Sequence, residues 1–318
     1  MKIVIIGGSG FIGTRLVDRL STNQSLSIKI LDKVESQKYP ELHHHCDITD
    51  IDSLRRVLDT DVDLVVNLAA EHKDNVSPVS LYYDVNVEGQ KNLCKVLDEY
   101  MIKRMIFSSS VAVYGFVTED TDETGKINPF NDYGKSKYQA EMVTHDWLDE
   151  TKQFSVIRPT VVFGEGNRGN VYNLLRQVAS GKFLMIGKGQ NQKSMAYVEN
   201  VAAFIEHLIE HGQGHQVFNY IDKPDFDMIK LVSVVNKALG KTGSVLRLPY
   251  SFGLLAGYGF DFLAKITGKE LPVSSIRVKK FCARTQFKSR TDYLGFKPPY
   301  SLEEGLSSTV KSEFGKNK

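Results

Sequence analysis

A chain of 318 residues, 42% apolar and 25% charged, is long enough to bury a large core and has the composition of a globular protein. Its formal net charge of +2 provides no global field for nucleic acid, so any basic function must be local. The three cysteines, Cys46, Cys94 and Cys282, are odd in number and far apart; that excludes a disulfide framework and metal-ligand spacing, and fits a reducing compartment.

The first apolar run, residues 2–6, is too short for a signal peptide and reads as a buried strand. A helix follows over 11–21, with Leu16, Val17 and Leu20 on one face. Strands expected over 27–31, 64–68, 104–108 and 155–157, with a third strand of the series ending before Cys46, alternate with helices over 51–58, 80–100 and 133–150. Such alternation predicts an α/β fold: a Rossmann-type, doubly wound parallel sheet covered on both faces, with right-handed crossovers. After about residue 165 the rhythm changes. Helices over 170–180, 201–209 and 227–239 and a short strand over 195–198 do not extend it. The expectation is a smaller, interleaved substrate-binding lobe, giving domains of 1–165 and 166–318 with some later segments returning to the first. No stretch approaches the roughly 18 apolar residues of a spanning helix, and the cytoplasm is the expected compartment. The residues from Gly315 onward read as a frayed tail.

Between the first strand and first helix lies Gly7-Gly8-Ser9-Gly10-Phe11-Ile12-Gly13, the context that a dinucleotide-binding fingerprint requires. Gly7 suits the tight turn, Gly10 close approach to a pyrophosphate, and Gly13 close helix packing. The helix N-terminus would add unpaired N–H groups. Asp32 ends the second strand at the spacing of a ribose-binding acid. Its carboxylate would accept from ribose hydroxyls and repel an extra phosphate, favouring NAD over NADP; Lys33 alongside points the other way. His43, His44 and His45 alternate across a strand and cannot converge on one ion, so no metal is expected.

Tyr133-Gly134-Lys135-Ser136-Lys137 puts a tyrosine and a lysine one helical turn apart on one face. An ammonium there stabilises phenolate and is expected to lower the tyrosine pKa toward general-base range. Tyr293 and Lys297 share that spacing, but Gly295 and Pro298-Pro299 argue against a helix, so spacing alone is a cheap signal. Ser108-Ser109-Ser110 follows the 104–108 strand, at the end where open α/β sheets bind ligands.

These segments together resemble the extended short-chain dehydrogenase/reductases, and within them the NAD-dependent sugar epimerase/dehydratase group. The likeness extends to Asp47, Leu68-Ala69-Ala70, Asn86-Val87-Glu88-Gly89, Arg158-Pro159-Thr160 and Tyr197-Val198-Glu199-Asn200-Val201. It implies bound NAD, held by Gly7, Gly10, Phe11, Ile12, Gly13, Asp32, Asp47, Ile48, Leu68, Ala69, Ala70, Asn86, Tyr133, Lys137 and Pro159. It also implies Ser110 as the catalytic hydroxyl, Tyr133 as acid/base, Lys137 as a second contact to the nicotinamide ribose, and a homodimer. Dehydratases of the group carry Asp-Glu just after the serine-like position; Val111-Ala112 stands here, so elimination of water is not expected. The implied reaction is 4-epimerisation by transient oxidation at sugar carbon 4.

Where UDP-galactose epimerases carry an Arg-Tyr-Phe-Asn run, this chain has Arg158-Pro159-Thr160-Val161, and Lys193 stands where they use a phosphate-binding arginine. The segments 72–78, 168–175, 193–198 and 274–282 resemble the bacterial enzymes that epimerise N-acetylglucosamine to N-acetylgalactosamine on undecaprenyl diphosphate for O-antigen synthesis. On that likeness His72, Ser110, Asn170 and Lys193 are the expected substrate contacts. The alternatives are a soluble UDP-sugar 4-epimerase, a 4-keto-sugar reductase, and a regulator that kept the fold and lost catalysis. Residues 248–260 hold no charge, and Arg277, Lys279, Lys280, Arg284, Lys288 and Arg290 follow. That pattern suits either peripheral contact with an anionic membrane, at the inner face of the plasma membrane, or a buried helix followed by solvated charges.

Overall fold

The computed structural model describes residues 1–73, 76–117, 120–242, 245–267, 274–290 and 292–315. The expected tail beyond 315, residues 74–75 of the 72–78 segment and the Lys280 side chain lie outside the described residues. In the first half, β1 (Lys2–Ile6), β2 (Ser27–Asp32), β3 (His43–His45), β4 (Leu64–Asn67), β5 (Arg104–Ser108) and β6 (Gln153–Pro159) form parallel neighbours. The central strands β1, β4 and β6 are mostly buried on both faces, as their β-branched and apolar content requires, while β2 is partly exposed and β3, His-His-His, is the exposed edge. The crossovers carry α1 (Phe11–Leu20), α2 (Ile51–Val57), α3 (Ser80–Tyr83), α4 (Gly89–Glu99) and α5 (Asp132–Trp147).

The single helix expected over 80–100 is interrupted. A π-helical turn, Asp84–Glu88, separates α3 from α4. A widened turn of this kind often marks a functional wall. Here it carries Asn86 inward, where the side-chain amide donates to the Glu71 carbonyl at 3.1 Å and Ser136 Oγ at 2.9 Å and accepts the Glu71 N–H at 2.9 Å.

The second half divides between two layers. β7 (Val161–Phe163), α6 (Asn170–Ala179), β8 (Leu184–Ile186) and β9 (Gln192–Tyr197) come first, with β9 longer than the expected 195–198. Next α7 (Val198–His211) and β10 (His215–Tyr220) return to the first layer: β10 pairs in parallel with β6. The main sheet thus runs β10-β6-β5-β4-β1-β2-β3. The chain then leaves again through β11 (Asp222–Asp227), α8 (Met228–Ala238), β12 (Leu246–Leu248), α9 (Tyr250–Thr267), α10 (Ser275–Cys282) and α11 (Leu302–Phe314). β11-β9-β7 and β12-β8 form the two small sheets of the second lobe.

Leu54, Leu93, Leu97, Ala140 and Trp147 cover one face of the main sheet. Leu16, Val17 and Leu20 of α1 cover the other, together with Phe204, Ile205 and Leu208 of α7. A separate core joins β9 to α6, α8 and α11 through Leu175, Tyr197, Leu231, Val235 and Leu306. Strand order reverses between β1 and β4, so the crevice at the carboxyl ends of those two strands is where this architecture takes a ligand.

Candidate active site

The glycine loop fills one side of that crevice. Gly7 turns at φ +76°, and a Cβ there would stand 2.7 Å from the Ala69 nitrogen, so the ends of β1 and β4 approach backbone to backbone. A Cβ on Gly13 would lie 2.5 Å from the Gly7 carbonyl oxygen, which fixes α1 tightly against the turn. Gly10 caps α1 with no side-chain hydrogen bond and the first turn holds no acid, leaving its N–H groups directed into the crevice for an anion. Phe11 and Ile12 occupy that first turn. Asp32 braces the loop, accepting the Ser9 N–H at 3.1 Å while its other oxygen takes the Val34 N–H at 3.0 Å. It stays partly exposed at the strand end.

Asp47 follows β3 and accepts both the Thr49 N–H at 2.9 Å and the Thr49 hydroxyl at 2.8 Å. Burial opposes its charge, yet these bonds and Lys33 hold its carboxyl below the usual range. The Ile48 side chain is core, packed against Gly89, so only its backbone is available to a ligand. Leu68, Ala69 and Ala70 line the end of β4, with the Ala69 N–H held by Asn67 at 3.0 Å. Pro159 ends β6, and the next residue, Thr160, ties back to the Tyr220 carbonyl at 3.1 Å.

On the other side of the crevice stand the reactive groups. Ser110 caps a 3-10 turn, Val111–Tyr114, its Oγ accepting the Ala112 N–H at 3.1 Å. Helix α5 begins because Asn131 is extended and accepts the Gly134 N–H at 2.9 Å. A Cβ on Gly134 would sit 2.6 Å from the Ala112 carbonyl oxygen. That missing carbon lets the first turn of α5 press against the 3-10 turn, which brings the Ser110 hydroxyl near enough to the Tyr133 phenol to act on its titration. One turn on, Lys137 is 1% exposed, with its Nζ 4.4 Å from the Phe107 ring centroid.

Burial sets both titrations. It raises the Tyr133 phenol above its usual value, with the Ser110 hydrogen bond pulling the other way. The expected lowering by Lys137 is absent among protein groups, because burial also drives the Lys137 ammonium down, to about 7, against the pull of Glu141. Among the described residues Lys137 has no carboxylate or hydrogen-bond partner, only the aromatic face. The Ser9 and Ser109 hydroxyls are buried without partners too. An open helix N-terminus, an acid at the second strand end and a buried, unpartnered cation form a donor set that fits a dinucleotide whose ribose hydroxyls and diphosphate would satisfy them.

Nothing in the sequence pattern assigns a role to the polar layer behind Lys137. Glu141, one turn further along α5, takes two Arg158 N–H groups at 2.9 and 2.5 Å. Arg158 also donates to the Tyr114 hydroxyl at 2.7 Å, and that hydroxyl donates to Asn219 at 2.8 Å. Its one signal was position: Glu141 shares the helix face of Tyr133 and Lys137. Of the remaining expected contacts, His72 is exposed beyond β4, with Nδ1 3.4 Å from the Ala70 carbonyl oxygen. Asn170 is the exposed first residue of α6. Lys193 lies on β9, half-buried, donating to the Ala283 carbonyl at 2.9 Å, and burial lowers its pKa. These three thus come from three separate segments around the cleft, whereas Ser110, Tyr133 and Lys137 converge.

Residues 3–220 match the NAD-dependent epimerase/dehydratase family. Over 98% of this chain, and 95% of the relative, the sequence is 49% identical to the N-acetyl-α-D-glucosaminyl-diphospho-ditrans,octacis-undecaprenol 4-epimerase of Escherichia coli O157:H7. The UDP-glucose 4-epimerase of Vibrio cholerae is 30% identical over 98% of this chain and 95% of its own. The fold superposes on the UDP-glucose 4-epimerase of Thermotoga maritima, solved with UDP-glucose, at a TM-score of 0.77, 23% identity and 98% coverage of each chain. With the switch-point glycine loop, the Ser110, Tyr133 and Lys137 cluster and a matched span that runs from β1 to β10, this chain belongs to the NAD-dependent epimerase/dehydratase family.

Proposed function

We propose that this chain interconverts N-acetylglucosaminyl and N-acetylgalactosaminyl diphosphoundecaprenol by inverting carbon 4 of the sugar, for surface-polysaccharide synthesis. The chemistry rests on the Ser110 turn packed against the first turn of α5, which carries Tyr133 and the buried Lys137. The 49% identity to a relative of that name, across nearly the whole of both chains, supports the choice of handle.

Tyr133 is the proton acceptor for the 4-hydroxyl and the donor when that hydroxyl is restored. Ser110 holds the oxygen at carbon 4, its Oγ kept in place by the Ala112 N–H. Lys137 would hold the ribose hydroxyls of the cofactor, contacts that would favour its ammonium form beside the Tyr133 phenol. Gly7, Gly10 and Gly13 admit the diphosphate, with Phe11 and Ile12 N–H groups at the helix end; Asp32 takes the adenosine ribose. Bound NAD supplies a reversible hydride acceptor at carbon 4. A 4-keto sugar that turned over in the cleft would take the hydride back on its other face and the proton from Tyr133, so that the reaction would be redox-neutral. His72, Asn170 and Lys193 are assigned to the sugar and its diphosphate. The working assembly is a homodimer in peripheral contact with the inner face of the plasma membrane.

The test is to offer the purified enzyme N-acetylglucosaminyl diphosphoundecaprenol and UDP-N-acetylglucosamine in parallel and identify each released sugar by chromatography. Conversion of the lipid-linked sugar alone is expected. Conversion of the UDP sugar alone would keep the chemistry and discard the handle.

A further inference from the structure

Helix α9 is built inside out. Its small residues Gly253 and Gly257 face the protein, where a Cβ would meet Ile186 and the Ser275 backbone, and its large apolar side chains face away. Phe252 is 63% exposed, Leu255 69%, Phe262 65% and Ile266 66%. The spacing 252, 255, 262, 266, with Gly259 between, places them along one stripe of the 18-residue helix. An apolar stripe on the outside is a docking surface that water does not favour. The sequence reading of a buried helix in this region is therefore corrected: Gly253 and Gly257 are the only residues of α9 that are buried.

The charge around it is one-sided. In residues 245–284 the sole acid among the described residues is Asp261, and its carboxylate is turned inward onto the Ser275 N–H at 3.2 Å. Arg247, Lys265, Arg277, Lys279 and Arg284 lie in the same span. Beneath the first turn of α9, Tyr250, Lys188, Lys279 and Arg284 line an open cavity of about 390 Å³. Lys279 also lies over the Tyr258 ring at 5.4 Å, which keeps one cation at the base of the helix.

We propose that α9 and this cationic rim form the surface by which the protein docks on an anionic lipid bilayer. The helix lies along the interface with its stripe among the acyl chains, and the rim meets the headgroups. A second copy of the chain is the competing occupant, but a two-fold contact through this face would set its cations against their own images. No helix among the described residues is long and apolar enough to cross a membrane, which fits a helix lying on a bilayer. The surface rests on exposed side chains and does not depend on the identity of the sugar carrier. It also turns the cavity toward the headgroups; next to Arg284 of its lining, Thr285 pairs with Lys193 and the Phe287 ring is 5.9 Å from Tyr114.

The test is co-sedimentation of the full-length, NAD-loaded protein with vesicles of phosphatidylethanolamine and phosphatidylglycerol, against vesicles of phosphatidylcholine alone. Binding to the anionic vesicles, weakening with salt, is expected. L255S combined with F262S should reduce that binding at least tenfold with an unchanged melting temperature, since both side chains are exposed. K265E, on the same helix, should steepen the loss at low salt. Absence of binding to anionic vesicles, or binding indifferent to the double substitution, overturns the proposal. So does a double variant that binds normally but shifts from dimer to monomer in light scattering, which would assign the stripe to a second copy. Vesicle binding with turnover of the UDP sugar alone would keep the surface and discard the lipid-linked substrate. Turnover of the lipid-linked sugar in detergent without vesicle binding would do the reverse.

Discussion

Tyr133 and Lys137 illustrate how one helical turn and one missing side-chain carbon make a reactive pair. Without Gly134 the first turn of α5 would be held off the 3-10 turn, and Ser110 would lose the phenol. The proton-transfer role makes a definite prediction. Y133F keeps the ring and its packing near Tyr82 but removes the transferable proton. Turnover should fall by about 10²- to 10⁴-fold, while NAD released on denaturation remains stoichiometric with protein. Near-normal turnover would remove Tyr133 from the mechanism. A second prediction concerns Asp32, whose two oxygens each hold a backbone N–H and still face the crevice. D32A should weaken NAD about ten- to a hundredfold and relax discrimination against NADP, read by equilibrium binding of each cofactor. Unchanged selectivity would mean that another group, with Lys33 the nearest, decides between them. The places of both were legible in the sequence, Asp32 from its position at a strand end and Tyr133 from its one-turn spacing to Lys137. Glu141 and Arg158 were not, because their meaning is a contact across two elements 17 residues apart.

At the scale of elements, closeness between backbones constrains more than side-chain chemistry does. G13A would force its new carbon onto the Gly7 carbonyl oxygen and the Gly8 Cα, 2.5 and 2.6 Å away, with no flexible neighbour to yield. Its expected cost is about 1–3 kcal/mol of stability together with weaker NAD binding, seen as a lower melting temperature that added NAD restores only in part. The joint between the two sheets carries a pH signature. Asp222, 2% exposed at the start of β11, accepts the Tyr197 N–H of β9 at 2.6 Å and the Tyr220 hydroxyl of β10 at 3.1 Å. Burial outweighs these bonds and lifts its carboxyl from 3.8 to about 6. A raised folded-state pKa contributes stability that is complete below 3.8 and is lost as pH rises through about 6. D222N keeps an oxygen for Tyr197 without the buried charge. It should therefore gain on the parent protein as pH rises across that window, to about 3 kcal/mol above it, in paired thermal melts. A constant difference at all pH values would show that Asp222 titrates in the folded protein as it does unfolded.

For the whole molecule, the first half was readable because its strands and helices alternate with clean periods, and each strand pairs with another that the same pattern reveals. The second half hid its organisation for a physical reason: β10, His-Gln-Val-Phe-Asn-Tyr, mixes polar and aromatic residues, and only its place beside β6 explains them. Phe218 and Tyr220 of that strand, and Phe204, Ile205 and Leu208 of α7, are buried against Leu16, Val17 and Ile157 of the first half. A cut at 165, where the sequence rhythm changes, would therefore strip α7 from the face of the sheet that it shares with α1 and expose the edge of β6. Several fully buried side chains would lose their cover, each worth about 1.5–3 kcal/mol on folding, against a total stability of about 5–15 kcal/mol. The fragment 1–165 should consequently show no cooperative thermal transition, bind no NAD and aggregate at micromolar concentration, although it contains the glycine loop, Asp32, Ser110, Tyr133 and Lys137 intact. A sharp melt that shifts upward with NAD would instead make the first half a self-sufficient domain. It would confine the contribution of α7 and β10 to joining the first layer to the second lobe.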